Sequence, residues 1–235
     1  MRRFEELAWS ETPRGEISLR RRIEPTLKVD VYEVKLGDEF LMSSLFTVAE
    51  VELARLALAR AKGDELDVVV GGLGLGCTAR AALEDSRVRS MVVVDAMAEV
   101  IDWHERELLP ESARLVRDPR SRLLLDDFFA LAASEEGFDP DAPGRTFDAV
   151  LLDIDHTPHH LLHPDHAPFY TVDGLRRLRS HVKPDGVFAL WSDDPPDAQF
   201  CALVEQVFDH VDAHVVSFAN FLTGGESSNT VYVAH

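Results

Sequence analysis

Only two cysteines, Cys77 and Cys201, occur in the 235 residues, which leaves no disulfide framework and no thiolate set for zinc. Lysine is nearly as scarce, at positions 28, 35, 62 and 183 alone. Acid outweighs base heavily, for a formal net charge of −18. A surface of that sign repels phosphate backbones, which argues against a nucleic-acid partner, and it draws cationic small molecules instead. No apolar stretch reaches the roughly 20 residues needed to span a bilayer. The start, MRRFEELAWSETPRGE, has basic residues but no apolar run behind them, so no signal peptide is read there. These absences lead us to expect a cytoplasmic protein without a membrane partner. The length fits one large domain, or one domain plus a small appendage, and the 46% hydrophobic content is enough for a real core.

Residues 1–45 read as a small antiparallel β-meander. EISLRRRI and LKVDVYEVKLG are β-rich and are set off by the turn-forming TPRG, EPT and GDE. From Thr47 the period changes, and 46–235 read as one domain. TVAEVELARLALARAKG has Thr47 as a candidate N-cap, Glu50 three residues on as in a capping box, and Gly63 at its end. Five apolar strands follow, at 66–71, 89–95, 121–126, 147–153 and 185–191. Helices are expected between and after them, over 77–86, 96–108, 127–134, 168–182 and 197–210. Apolar strands alternating with helices predict an α/β fold, a Rossmann-like doubly wound parallel sheet covered on both faces. The tail reads as two strands around TGGESSN, a hairpin at the sheet edge.

In such a sheet, ligands bind beyond the carboxyl ends of the strands. The first strand runs into GGLGLG, where Gly72, Gly74 and Gly76 form GxGxG before a helix. Glycines there admit close backbone approach to a ligand, although tight strand-to-helix turns use glycine for packing as well. Asp95 ends the second strand about twenty residues on, the place for a carboxylate accepting from ribose hydroxyls. It is equally placed to cap the following helix. Asp126 and Asp127 end the third strand, either toward an adenine amino group or as an N-cap. Asp153 ends the fourth, with Asp155 close behind. They open DIDHTPHHLLHPDH, which holds five of the ten histidines.

The segments VVVGGLGLGCTARAAL, MVVVDAMAEVIDW, RLLLDDFFALA, FDAVLLDIDHTP and FYTVDGLRRLRSHVKPDGVFALW resemble, in order, those of the spermidine synthase-like aminopropyltransferases. That family has the S-adenosylmethionine methyltransferase type of fold, and the resemblance covers nearly the whole chain. It implies that Gly72, Gly74 and Gly76 hold the aminopropyl or amino-acid end of the donor, Asp95 the ribose and Asp126, with Asp127, the adenine. It makes Asp153, with Asp155, the catalytic pair assisting deprotonation of an attacking amine. It further implies decarboxylated or intact S-adenosylmethionine as co-substrate, no metal, and a homodimer assembled through the meander.

Three departures fall on substrate recognition. GGLGLG lacks the aspartate of the family's GGGDGG-like run. AEVELAR lacks the tyrosine and histidine of its Tyr-His-Glu run, and DIDHTP displaces or loses the second aspartate of Asp-x-x-Asp-Pro.

The histidine stretch admits three readings. A metal would need His156, His159 or His160, and His163 on one helical face, but Pro158 and Pro164 interrupt that face. A plain polar loop is the second. The third, which we favour, is a gate over the cleft in which His156, His159, His160 and Tyr170 meet the substrate. The expected activity is aminopropyl transfer to an amine with Asp153 as general base. A small-molecule methyltransferase and a non-catalytic nucleoside-binding homologue are the alternatives.

Overall fold

The structure is a computed structural model that describes residues 4–235. Residues 1–3 of the meander expected over 1–45 lie outside the described residues. The chain opens with four strands, β1 (Phe4–Thr12), β2 (Gly15–Ile23), β3 (Asp30–Leu36) and β4 (Glu39–Ser43), paired in order as an antiparallel sheet. The arginine run of β2 is neutralised by its neighbours. Arg21 reaches Glu5 at 2.6 Å, Arg22 reaches Glu33 at 2.6 Å, and Arg20 lies 3.8 Å from Glu6.

A seven-stranded sheet follows. Its strands are β5 (Leu66–Gly71), β6 (Val88–Asp95), β7 (Ser121–Leu125), β8 (Phe147–Leu152), β9 (Val182–Ser192), β10 (Val211–Asn220) and β11 (Gly225–Ala234). The order is β10-β11-β9-β8-β5-β6-β7. The five strands from β9 to β7 run parallel, and the β10–β11 hairpin closes one edge antiparallel. The expected α/β doubly wound fold is the one observed.

Its apolar runs follow from having two buried faces. In β5, Val68 and Val70 pack toward one core while Val69 packs toward the other. In β8, Ala149 and Leu151 divide from Val150 and Leu152 in the same way. Helices α1 (Val48–Arg60), α2 (Cys77–Glu84), α3 (Ala98–Glu105) and α4 (Ser112–Arg117) cover the first face. The second is covered by α5 (Phe128–Ala133), α6 (Val172–Ser180) and α7 (Ala198–Val204). Trp103 of α3 is fully buried in the first core, whereas Trp9 of the meander is 48% exposed.

Several boundaries differ from the sequence reading. The single helix expected over 96–108 ends at Glu105, where Glu107 turns to positive φ, and a short second helix starts at Ser112. The helix expected from 168 begins at Val172. Ahead of it Pro164–Tyr170 forms a 3-10 helix, and Thr171 accepts the Gly174 N–H as the N-cap. Helix α1 ends at Arg60, short of Gly63, and Thr47 makes no side-chain capping bond. Strand β9 starts at Val182, with a bulge against β8 taking up the KPDG segment. Of TGGESSN, only the first residues form the turn; the rest belongs to β11.

The order places the reversal between β5 and β8, so the crevice opens beyond Gly71 and Leu152. The first sheet roofs it: Leu41 and Met42 line the spaces described next.

Candidate active site

Strand ends β5 and β8 are tied together where the cleft begins. Asp153 N–H donates to Gly71 O at 2.8 Å, and Gly72 N–H donates to Val94 O at 2.9 Å. Gly72 sits at φ +94°, and a Cβ there would stand 2.1 Å from the Asp153 carbonyl oxygen. No L side chain fits, so glycine is what lets the two strand ends meet. Gly74, at φ +46°, receives Met42 of the roof, whose sulfur a Cβ would meet at 2.8 Å. Gly76 precedes the first turn of α2. His104, fully buried, braces the loop from below. Its Nε2–H donates to Gly74 O at 2.9 Å, and its Nδ1 accepts from the Ser112 hydroxyl at 3.1 Å.

Asp95 serves the same loop. One carboxylate oxygen accepts from Leu73 N–H at 3.0 Å and Gly74 N–H at 3.4 Å, and the other from Met97 N–H at 2.9 Å. Burial raises its pKa against the pull of these N–H donors. A carboxylate has lone pairs beyond these three bonds, so Asp95 can still accept from a ligand hydroxyl.

Two chambers flank the glycine loop. The first, about 110 Å³, is lined by Asp95, Met97, Val100, Asp127, Phe129 and His166, among others. The His166 ring stacks on Phe129 with centroids 3.9 Å apart. Asp127 caps α5 by accepting from Phe129 N–H at 2.8 Å and Ala130 N–H at 3.1 Å. Asp126 is exposed and lines a shallow outer groove instead, with Arg14 and Glu99. Of the two acids expected at an adenine, the structure therefore brings Asp127 to the chamber.

The second chamber, about 330 Å³, is acidic: Glu50 of α1, Asp153 beyond β8 and Asp193 beyond β9 line it. Thr78 donates its hydroxyl to Asp153 at 2.6 Å. Burial still pushes the Asp153 carboxyl up to about 6. Burial, then the charges of Asp153 and Asp193, push Glu50 up to about 8. Burial and the charges of Glu50 and Asp153 drive the neighbouring Cys77 thiol up to about 12, so it is no nucleophile at neutral pH. Gly72, Gly74, Asp153, Ile154 and Leu162 line both chambers, which are adjoining halves of one cleft.

This acid pair has a consequence for stability. Both carboxyls hold protons more tightly when folded than in the unfolded chain, where they ionise near pH 4. Their stabilising contribution is complete below that pH and is lost as pH rises through about 6 and about 8. Denaturant unfolding of the ligand-free protein should therefore show stability falling between pH 5 and pH 8.5, by on the order of a few kcal/mol. Glu50→Gln should flatten the upper part of that fall; an unchanged profile would remove Glu50 from the acid cluster.

The histidine-rich loop divides. His156 lines the acidic chamber, its Nε2 lying 3.5 Å from Glu39, with the exposed His160 ring packed on it at 4.9 Å. His159 points to Asp197, the N-cap of α7, at 2.6 Å and lines neither chamber. Asp155 departs furthest from its expected catalytic place. It is buried at the centre of the loop, accepting from Leu162 N–H at 2.8 Å, His166 Nδ1–H at 2.8 Å and Tyr170 O–H at 2.9 Å. Tyr170 is thereby committed to Asp155, and burial raises its pKa well above the ordinary range. Asp155 holds the loop in shape while Asp153, two residues earlier, faces the cleft. Among the described residues, no group of three His, Cys, Asp or Glu side chains is placed to hold a metal ion.

Sequence reasoning did not single out Glu50, Asp193 or His166 as site residues. Glu50 read as half of a capping box. Asp193 did carry a usable signal, an acid just past a strand end. His166 was one of five histidines with nothing local to separate it.

No family model matches the chain. Over 167 residues it is 28% identical to polyamine aminopropyltransferase 2 of Pseudomonas aeruginosa, a stretch that covers 67% of this chain and 44% of that protein. Over 88 residues it is 31% identical to the polyamine aminopropyltransferase of Pyrobaculum islandicum, covering 37% of this chain and 28% of that one. The chain thus spans less than half the length of these curated relatives. Among solved structures, the spermidine synthase of Thermotoga maritima superposes with a TM-score of 0.72 at 16% identity, over 97% of this chain and 72% of that one. The chain has the spermidine synthase fold. A spermidine synthase in complex with the transition-state analogue AdoDATO superposes at a TM-score of 0.71 and 17% identity, over 97% of this chain and 73% of that one. A probable spermidine synthase from Corynebacterium glutamicum gives 0.64 at 18% identity, over 97% and 79%. On this fold, then, the glycine loop and Asp95 are joined to an acid cluster whose members come from three separate elements. No helix among the described residues is long and apolar enough to cross a membrane.

Proposed function

We propose that the protein is an aminopropyltransferase-like enzyme. In this reading it moves the aminopropyl group of decarboxylated S-adenosylmethionine to an amine, with Asp153 as general base. The observation that carries it is the adjacency of the two chambers. A small, mostly apolar space beside Asp95 suits a nucleoside, and a space holding Glu50, Asp153 and Asp193 suits a cation. Gly72, Gly74 and Asp153 form part of the wall common to both, where a reacting carbon would sit.

The chemistry asks little of the protein beyond placement and one proton transfer. An ammonium entering the acidic chamber meets Asp153, which takes one of its protons. The freed nitrogen lone pair forms a bond to the methylene next to the sulfonium. The carbon–sulfur bond breaks, its electron pair stays on sulfur, and methylthioadenosine leaves. A carboxyl near 6 is a stronger base than one at the usual 4 and still mostly ionised at pH 7.5, which suits the task. Asp95 orients the ribose, with Asp127, Phe129 and His166 around the base. The exposed apolar side chains of the first sheet, Trp9 and Phe40 among them, are consistent with a homodimer through that sheet.

A second reading has its own support. GGLGLG carries no acid, so the carboxylate of intact S-adenosylmethionine would meet no like charge in the loop, as a small-molecule methyltransferase requires. Thermal unfolding with the two products separates them. Methylthioadenosine should raise the melting temperature by several degrees at a concentration ~100 times its Kd. A shift with S-adenosylhomocysteine but none with methylthioadenosine would replace the first reading by the second.

A further inference from the structure

One of the five histidines in residues 153–166 is set apart by its surroundings. The side chain of His166 is 6% exposed, and that of Asp155 beside it 1%. The ring is held on two sides. One face lies on Phe129 with centroids 3.9 Å apart, and Nδ1–H donates to Asp155 at 2.8 Å. Asp155 also accepts from Tyr170 O–H and Leu162 N–H, so the carboxylate is itself fixed in place.

The other ring nitrogen is left over. Nε2 has no hydrogen-bond partner among the described residues, yet it is not one of the unpartnered polar atoms sealed away from solvent. The space that His166 borders is the smaller chamber beside Asp95, and not the acidic one. With the Nδ1 proton held by Asp155, Nε2 of the neutral ring carries a lone pair and accepts. The other polar side chains of that wall are the carboxylates Asp95, Asp127 and Asp153, with Arg14 at the rim shared with the outer groove. A wall of acceptors favours a ligand edge that presents N–H. It rejects one that presents a carbonyl oxygen, because two facing acceptors are both left unpaired.

We propose that His166 reads the base of the bound nucleoside. Its Nε2 accepts from the exocyclic amino group of a 6-aminopurine, and Asp155 and Tyr170 are positioning residues that set the tautomer and aim the ring. This rests on the assignment of the smaller chamber to a nucleoside, and not on which group is transferred.

Calorimetry on the full chain at about pH 8, where an imidazole is ordinarily neutral, tests it. The probes are methylthioadenosine and methylthioinosine, which carry an amino group and a carbonyl at the 6-position. Methylthioadenosine should bind at least ~10-fold tighter. His166→Phe keeps an aromatic ring beside Phe129 but no acceptor, so the preference should shrink several-fold. A purely structural role would weaken both nucleosides alike; a preference unchanged in that variant overturns the inference and moves the reading to Asp127. Nitrogen NMR of the wild-type chain gives a second measurement that needs no variant. The His166 ring should be the Nδ1–H tautomer, and its Nε2 resonance should move when methylthioadenosine binds. A proton on Nε2, or a resonance unmoved by a nucleoside that binds, overturns the inference, as does methylthioinosine binding as tightly as methylthioadenosine. Binding of neither nucleoside overturns the assignment of the chamber itself, and this inference with it.

Discussion

Asp153→Asn should lower the turnover of the proposed aminopropyl transfer by about 10²–10⁴-fold, the range for losing a positioned general base. Binding of methylthioadenosine should change little. The amide has nearly the volume of the carboxylate, and its oxygen can still accept the Thr78 hydroxyl, now 2.6 Å from Asp153. What is lost is the proton acceptor: an amide does not ionise, and an attacking amine that keeps its proton has no lone pair to offer. Steady-state kinetics with calorimetry on the same preparation would check both halves. Full turnover in the variant would move the base elsewhere, and Glu50 in the same chamber would be next to test. Loss of turnover together with loss of nucleoside binding would instead mean that the shared wall had collapsed.

Gly72→Ala should be among the most destabilising single substitutions in the chain, by about 3 kcal/mol or more. Two penalties add. The backbone sits at φ +94°, where an L residue is strained, and the new methyl would lie 2.1 Å from the Asp153 carbonyl oxygen. The obstacle is main chain at the end of a central strand, so it cannot rotate away. Gly144→Ala is the control: its φ is also positive, at +75°, but nothing lies within 4 Å of the added carbon. That change should cost about 1 kcal/mol. Urea unfolding of the two variants would separate strain from collision, and equal losses would show that φ alone matters. A soluble Gly72→Ala protein should also show weakened ligand binding in both chambers, because the displaced Asp153 backbone borders each.

The fold was legible where burial leaves few choices. Strands β5, β6 and β8 read plainly because residues such as Val69 and Val70, or Val150 and Leu151, face opposite cores and must all be apolar. Asp95 and Asp153 stood out because strand ends in a parallel sheet point at one crevice. Elsewhere local pattern fell short. Asp153 and Asp155 look alike in sequence, yet past the end of β8 no repeating geometry governs direction, and one faces the cleft while the other is buried under His166 and Tyr170. Glu50 has the spacing of a cap but lines the acidic chamber, a placement fixed by how α1 packs on the sheet. The break after Glu105 depends on His104 reaching Gly74 and Ser112, contacts that come from tertiary packing.

One short segment, residues 153–166, contributes to both halves of the cleft. Asp153, Ile154 and Leu162 face each half, His156 faces only the acidic one and His166 only the smaller one beside Asp95, and the Asp155 network ties the segment together. A molecule bound in one half therefore rests against the same segment that borders the other. For the two ligands of the proposed reaction this makes a thermodynamic partnership: whatever factor the proposed nucleoside lends to the amine's affinity, the amine must return to the nucleoside's.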